Sequence, residues 1–448
     1  MAETAHAVAT AVRDCPECGA PVADGGRYVT WCAACDWNVD PEVRNEEPPG
    51  RVERLRRRLV RRGGEQLLAE LTEFEERGEP GGPVASGEAA APGDGGKRRG
   101  AAGGLAAGLA AAVHGVTLGL LVGGLWLIVA GWGEGFLPAF GALGLGLAVV
   151  LRPRFSSLPK AEEHRPVLRR PDAPRLFALL DEVAESVGTT GVDAVVIDAD
   201  ANASVSAYGV RQRRMLHIGL GLWEILTPQE RIALLGHEFG HYTHGDTRRT
   251  LLVWNAFHSL GTWRYTLAPQ QAESLMDHFV NLVTAPPRLL VEGVLVLLEH
   301  LTLHDSQRAE YRADTAAARV AGTDAAAGLM DRLLIADGVA GELHRESVAA
   351  RTRIGGARRE DPAEGLWERV AAHAASVPEH EYERLRRVAE RLGHQVDSTH
   401  PPTHLRHRRL TRGARVEAGI VCAPTRVAEV DAELAGVRRS VARELVRR

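Results

Sequence analysis

Lysine is almost missing from this 448-residue chain: Lys97 and Lys160 are the only two, and arginine carries nearly all of the positive charge. Charge of neither sign dominates. Lysine and arginine together number 54 against 58 aspartate and glutamate, a net charge of −4. That balance excludes a chain-wide basic surface for nucleic acid. Cysteine is scarce and confined: four of the five lie within the first 35 residues, and Cys422 stands alone near the far end. The first 30 residues contain no apolar stretch of signal-peptide type, so no secretory signal is expected. The N-terminus is therefore expected in the reducing cytosol, where paired cysteines read as metal ligands rather than disulfides. The length allows two or three folded units. Hydrophobic residues make up 45% of the chain, yet mean hydropathy is slightly negative, which suits a mostly soluble protein with a small membrane part.

What the N-terminus does contain is a pair of cysteine knuckles. Cys15-x-x-Cys18 and Cys32-x-x-Cys35 are separated by 13 residues, the spacing of a four-thiolate zinc ribbon over residues 1–50. So small a segment has little core, and bound metal would supply its folding free energy. Asp14, Glu17, Asp24, Asp36, Asp40, Glu42, Glu46 and Glu47 outnumber Arg13, Arg27 and Arg44. An acidic ribbon is a poor phosphate binder. It reads as a module that contacts protein, and no nucleic acid is expected as a partner.

Residues 51–77 read as a helix from the spacing of Leu55, Leu59, Leu67, Leu68, Leu71 and Phe74, with Gly63-Gly64 as an expected break. Residues 78–100 are rich in Gly, Pro and Ala and read as a flexible linker. A membrane hairpin is expected over 101–154. From Ala101 to Gly133 there is no charged side chain, and Val113 to Trp132 alone supplies 20 residues, the length of a bilayer span. A second apolar run, Gly135 to Leu151, has 17. Lys97, Arg98 and Arg99 precede the hairpin and Arg152 and Arg154 follow it, while its turn has no basic residue. The positive-inside rule then predicts a multi-pass protein of the inner or plasma membrane with both termini and the domain beyond 160 in the cytoplasm.

Residues 160–425 read as one α+β, predominantly helical domain, and 426–448 as a C-terminal helix. A helix over Asp172–Val187 is followed by a strand at Val192–Ile197. Two further strands, Asn202–Tyr208 and Met215–Ile218, flank a charged turn. Thr227-Pro228-Gln229-Glu230 then opens a helix: threonine suits the cap, proline the first position, and glutamate a capping box. This helix carries His237-Glu238-Phe239-Gly240-His241. Positions i and i+4 share a helix face, so both imidazoles can grip one Zn²⁺, with Glu238 placed as a general base; this is the zincin pattern. Such a site needs a third protein ligand. Glu310 and Asp314, again at i and i+4 on an expected helix over Ser306–Gly322, are candidates, although a solvated helix face offers the same spacing. His244 reads as a surface histidine or a support to the ligands, and Asp246 as structural.

His237-Glu-Phe-Gly-His241, Glu310-Tyr-Arg-Ala-Asp314 and His400-Pro-Pro-Thr-His-Leu-Arg406, in that order, resemble the HExxH, ExxxAD and HPPxxxR segments of the HtpX-like and CAAX-prenyl-protease-type membrane metallopeptidases, which are gluzincins. The resemblance covers roughly residues 160–415 and leaves the N-terminal ribbon outside. It implies Glu310 as third zinc ligand, Asp314 beside a histidine ligand and Arg406 near the active site. It also implies protein or peptide substrates and, by analogy, membrane-protein quality control. Two zinc ions are expected, one catalytic and one structural. His400 and Arg406 are expected either to steady an oxyanion or, in a resting state, to block the open metal position. Asn202, Ala203, Ser204, Val205 and Ser206, with small side chains, are expected to form a strand that holds the substrate backbone. Leu289–Leu303, interrupted by Glu292, Glu299 and His300, reads as an amphipathic helix over the active site rather than a span. The competing reading is a catalytically degenerate zinc-ribbon adaptor at the membrane; intact ligands and base weigh against it.

Overall fold

A computed structural model describes residues 12–23, 26–41, 51–76, 94–152, 165–209, 211, 213–243, 247–352, 361, 363–392, 400–412 and 414–447. His244 and Asp246, and the expected linker up to residue 93, lie outside them. The chain starts with a short antiparallel pair, β1 (Val12–Asp14) and β2 (Pro21–Ala23). Helix α1 (Arg51–Glu76) is continuous, so the expected break at Gly63-Gly64 does not occur. A Cβ on Gly63 would lie 2.9 Å from Gln307 Oε1, and one on Gly64 3.1 Å from Leu405 Cδ1. The two glycines mark where α1 crosses closely over distant helices, and that packing offsets their helix penalty of about 1 kcal/mol each.

Helix α2 (Asp94–Ala130) begins within the expected linker, which therefore ends earlier than its composition suggested. It turns into α3 (Leu137–Leu151), and the two pack as a hairpin. At 1.5 Å per residue, the 15 residues of α3 reach only about 22 Å against a hydrocarbon core of about 30 Å. Leu118, Val122, Leu125, Trp126, Val129 and Trp132 are exposed along the pair.

The second half builds a four-stranded sheet and a helical body around it. Strand β3 (Val167–Leu168) precedes α4 (Pro174–Val187), which is followed by β4 (Ala194–Asp198), β5 (Ala203–Tyr208) and β6 (Arg213–Gly219). The sheet order is β3-β4-β6-β5. Strand β4 runs parallel to β6, and β5 pairs antiparallel with β6, Ala203 opposite Ile218 and Tyr208 opposite Arg213. Among the described residues, no strand pairs with the other side of β5. After α5 (Leu220–Trp223) come α6 (Pro228–Gly240), α7 (Thr247–Thr266) and α8 (Leu275–Ala321). Then follow α9 (Thr323–Leu334), α10 (Ala336–Thr352), α11 (Leu366–Ala375), α12 (Glu379–Leu392), α13 (Thr403–Arg412) and α14 (Pro424–Arg447). The main core joins Leu176, Phe177 and Leu180 of α4 to Ile197 and Leu216 of the sheet, Ile232 and Leu235 of α6, and Leu434 of α14.

Helix α8 corrects one expectation. Leu289–Leu303 is not a separate amphipathic helix; it is the middle of one 47-residue helix that continues through Pro286-Pro287. Ala102–Ala130 and a window within Leu275–Ala321 are the two stretches, among the described residues, long and apolar enough to cross a membrane. They pack together: Ala106, Ala110 and Val113 of α2 meet Ala256 and Leu260 of α7 and Val291, Leu295 and Leu298 of α8. The apolar hairpin thus packs against the helix whose last third carries Glu310 and Asp314.

Candidate metal centre

The metal helix is fixed at both ends. At its start the capping box forms: Thr227 Oγ1 accepts from the Glu230 backbone N–H at 3.3 Å, and the Thr227 N–H donates to Glu230 Oε2 at 2.7 Å. Ile232, Leu235 and Phe239 are fully buried on its core side. The motif closes the helix, with His241 as its C-cap residue. Close approach to α8 comes from small residues on both sides. A Cβ on Gly240 would lie 2.8 Å from Ala313 Cα, and one on Gly236 3.1 Å from Ala317 Cα. Alanine-for-glycine spacing at i and i+4 on both helices is a readable signal that motif reading alone passes over.

That contact brings the donor atoms together. His237 Nε2 and His241 Nε2 are 3.2 Å apart, with their rings perpendicular. Glu310 Oε2 lies 3.5 Å from His237 Nε2, and Oε1 lies 3.6 Å from His241 Nε2. His400 Nε2 is 3.3 Å from Glu310 Oε2. A tetrahedral ion about 2.0–2.1 Å from each donor needs donor–donor edges of about 3.4 Å. Glu310 Oε2 is buried with no hydrogen-bond partner; Arg406 Nη2 stands 3.7 Å away, which leaves the oxygen free to take a closer cation. The donor set therefore fits a metal ion.

Behind these atoms sits a buried ion pair. Arg406, 1% exposed, donates from Nε and Nη2 to the two oxygens of Asp314 at 2.9 and 2.6 Å. Burial alone would raise the Asp314 pKa, but the charge and hydrogen bonds of Arg406 outweigh it and hold the carboxyl far below its usual range. Burial likewise opposes the Arg406 charge, and Asp314 restores it. The ionised Asp314 lies 3.0 Å from His237 Nδ1. Arg406 Nη2, which only donates, is farther from Nδ1, at 3.3 Å; pairing Nδ1 with the nearer carboxylate, which only accepts, puts the proton on Nδ1 and turns the Nε2 lone pair to the centre. Burial lowers the His241 pKa and favours its neutral, ligating form. For Glu310, burial raises the pKa, but the charges of His241, His400 and Arg406 bring it below the ordinary value. Glu238, adjacent to His237, is buried.

The small-residue segment begins as expected at the sheet edge, with Ala203 to Ser206 in β5 and Asn202 just before it. Its link to the metal helix was not anticipated: the Tyr242 hydroxyl, next to His241, donates to Ser206 O at 3.0 Å. The Ser206 carbonyl is thereby engaged within the protein.

Far along the chain, the four N-terminal cysteines also converge. Cys15 Sγ and Cys35 Sγ, and Cys18 Sγ and Cys32 Sγ, are each 3.6 Å apart, and all four sulfurs lie within 4.8 Å of one another. None forms a disulfide. Each knuckle closes in the same way, Gly19 N–H to Cys15 O and Asp36 N–H to Cys32 O, both at 2.9 Å. These edges suit metal–sulfur distances of about 2.3 Å.

A family model described as peptidase family M48 matches residues 171–414, more than half of the chain and all of the buried centre. The chain belongs to this family. It is similar to a protease HtpX homolog of Pyrobaculum aerophilum, 30% identical over 243 residues that cover 52% of this chain and 65% of that one. It is also similar to protease HtpX of Pseudomonas putida, 26% identical over 175 residues, 37% of this chain and 57% of the relative. The chain thus spans less than two thirds of the length of these relatives. No solved structure matches it. The M48 match leaves the four-cysteine unit and the α2–α3 hairpin outside its limits.

Proposed function

We propose that this chain is a membrane-anchored, zinc-dependent endopeptidase acting on protein or peptide substrates. The observation that carries this reading is the convergence of His237 Nε2, His241 Nε2 and Glu310 at 3.2–3.6 Å, with a buried carboxylate oxygen that no hydrogen bond satisfies. His237, His241 and Glu310 are the zinc ligands. Zinc bound there supplies Lewis acidity, polarising a scissile carbonyl and lowering the pKa of water. Glu238 takes a proton from the attacking water and returns it to the leaving amine. Asp314 fixes the His237 tautomer, and Arg406 keeps Asp314 ionised. With its guanidinium committed to Asp314, Arg406 serves that support and not the oxyanion. His400, with Nε2 3.3 Å from Glu310 Oε2, would be a further donor to the ion in a resting state and would then keep the open position blocked. The β5 edge from Ala203 holds the substrate backbone by strand addition. Cys15, Cys18, Cys32 and Cys35 hold a second, structural zinc.

The domain division follows: ribbon 1–50, helix 51–77, a linker, the membrane hairpin 101–154, the peptidase 160–425 and the terminal helix 426–448. The exposed apolar faces of α2, α3 and the first half of α8 support a lipid environment, and the flanking arginines support cytoplasmic termini. Reporter fusions at residue 95 and at the C-terminus should then behave alike, and one near Glu134 should report the opposite side. A degenerate adaptor is disfavoured by the complete ligand set and the retained base. The deciding experiment is elemental analysis of Glu310→Ala beside a proteolysis assay. One zinc and all turnover should be lost; a variant that kept both would remove Glu310 from the centre and the reading with it.

A further inference from the structure

The acidic ribbon reads from sequence as a module that contacts protein, and the protein it contacts in this structure is its own peptidase domain. Asp36, directly after Cys35, meets two arginines of α12: Arg387 Nη1 at 2.6 Å and Arg391 Nη2 at 2.6 Å. Arg387 also donates to Ala33 O at 2.7 Å, inside the second knuckle, and stacks over Trp31 at 4.9 Å. Arg384 donates to Val39 O at 2.8 Å. Arg27 and Tyr28 reach Ser376, at the end of α11. One acid of the ribbon, Asp36, and two of its backbone carbonyls thus meet an arginine row on one helix face.

A second grip lies at α1. Gln307, fully buried on α8, donates to Val60 O at 2.7 Å. Leu67 and Leu71 pack on Tyr311. A Cβ on Gly64 would come within 3.1 Å of Leu405 and 3.3 Å of Pro402. Pro402 lies two residues from His400, and Leu405 is next to Arg406. Helices α12 and α13 pack on each other, and both pack on α9. Ribbon and α1 therefore hold two neighbouring parts of one wall, and that wall carries His400 and Arg406.

We infer that the N-terminal segment acts in cis as a clamp on the α12–α13 wall, and that metal in the four-cysteine site keeps the clamp closed. This rests on the metal reading of the ribbon. The coupling is mechanical. Asp36 and Ala33 O are presented by the Cys32–Cys35 knuckle, whose shape depends on four sulfurs sharing one ion. When the ion leaves, the knuckle relaxes, Arg387 and Arg391 lose Asp36, with Arg387 left to Glu383 of its own helix, and α12 loosens against α13. The ribbon is then a sensor of its own metal, read out at the wall beside the peptidase centre, and not an adaptor for a foreign protein.

The test uses the full chain in detergent, with hydrogen–deuterium exchange read alongside zinc content. Cys18→Ser with Cys35→Ser should remove one zinc and speed exchange in peptides covering 379–392 by about tenfold, while α4 keeps its protection. Asp36→Asn isolates the contact. At φ 59 asparagine keeps the turn, so both zinc ions should stay while 379–392 loosens in the same direction. Gly64→Leu should loosen 403–412 with both ions bound. Loss of the ribbon zinc with unchanged exchange in 379–392 would overturn the clamp, as would an Asp36→Asn protein with wild-type protection. Exchange is measured without substrate. A protein that never cleaves would therefore defeat the peptidase reading and leave this one standing.

Discussion

The two candidate metal sites have similar donor spacings and opposite foundations. At the centre on α6 and α8, the protein positions the ligands: a capping box, a small-residue helix contact, a buried Arg406–Asp314 pair and a large core are all in place around His237, His241 and Glu310. In the ribbon, the cluster of buried apolar groups is Cys15, Val22 and Cys32 with Ala20 and Trp37 packed against it. So little burial cannot offset the ordering of some thirty residues at about 1–2 kcal/mol each. On the proposed reading, one site would be a scaffold that receives an ion, and in the other an ion would make the scaffold. The first suits catalysis, which needs preset geometry, and the second would suit sensing, because its fold would follow occupancy.

Chelation should separate the two most sharply. A strong chelator should abolish exchange protection over residues 12–41 altogether while α6 and α8 remain protected. If α6 and α8 melted together with the ribbon, the contrast would fail. Next in size is the buried pair. Arg406→Ala strands an ionised carboxylate and should cost about 3–5 kcal/mol in chemical denaturation. Asp314→Leu combined with Arg406→Met should cost far less. Acid probes the same pair. The folded pKa of Asp314 is depressed, so its stabilisation is complete above the unfolded value of about 3.9 and is lost as pH falls from there toward the folded value. Asp314→Asn should keep all three ligands while lowering zinc affinity by about 10- to 100-fold; because it strands the buried Arg406 charge, it should also lower the melting temperature, as Arg406→Ala does. Thr227→Ala should be the smallest, about 1 kcal/mol from the lost cap. A cap variant that lost zinc as readily as Asp314→Asn would mean that helix placement and not tautomer control governs the centre.

Much of this was legible in the chain itself, and the reasons are local. The i, i+4 spacing of His237 and His241 and of Glu310 and Asp314 follows from helix geometry, and Thr227-Pro228-Gln229-Glu230 is a start signal complete within four residues. The HPPxxxR segment named His400 and Arg406 through family resemblance. What stayed hidden depends on partners far away. Gly63-Gly64 reads as a break because its reason for being small, Gln307 and Leu405, lies hundreds of residues on. The unity of α8 is masked by Pro286-Pro287 and by acidic residues that punctuate its apolar run, Glu299 pairing with Arg56 of α1. The ribbon's docking partner leaves no periodic trace, since Asp36 and the arginines of α12 look like ordinary solvated charge until they are brought face to face. Tyr242 was passed over for the same reason: its role depends on a carbonyl of β5.

The central claim is that the buried centre hydrolyses peptide bonds with Glu238 as base. The most direct measurement is cleavage of an unfolded protein substrate by Glu238→Gln, with zinc counted on the same sample. Glutamine keeps the size and removes the proton acceptor, while the ligands stay untouched. The expected result is wild-type zinc content with no detectable turnover, restored by no added metal. Cleavage at the wild-type rate by a fully loaded Glu238→Gln protein would contradict the account.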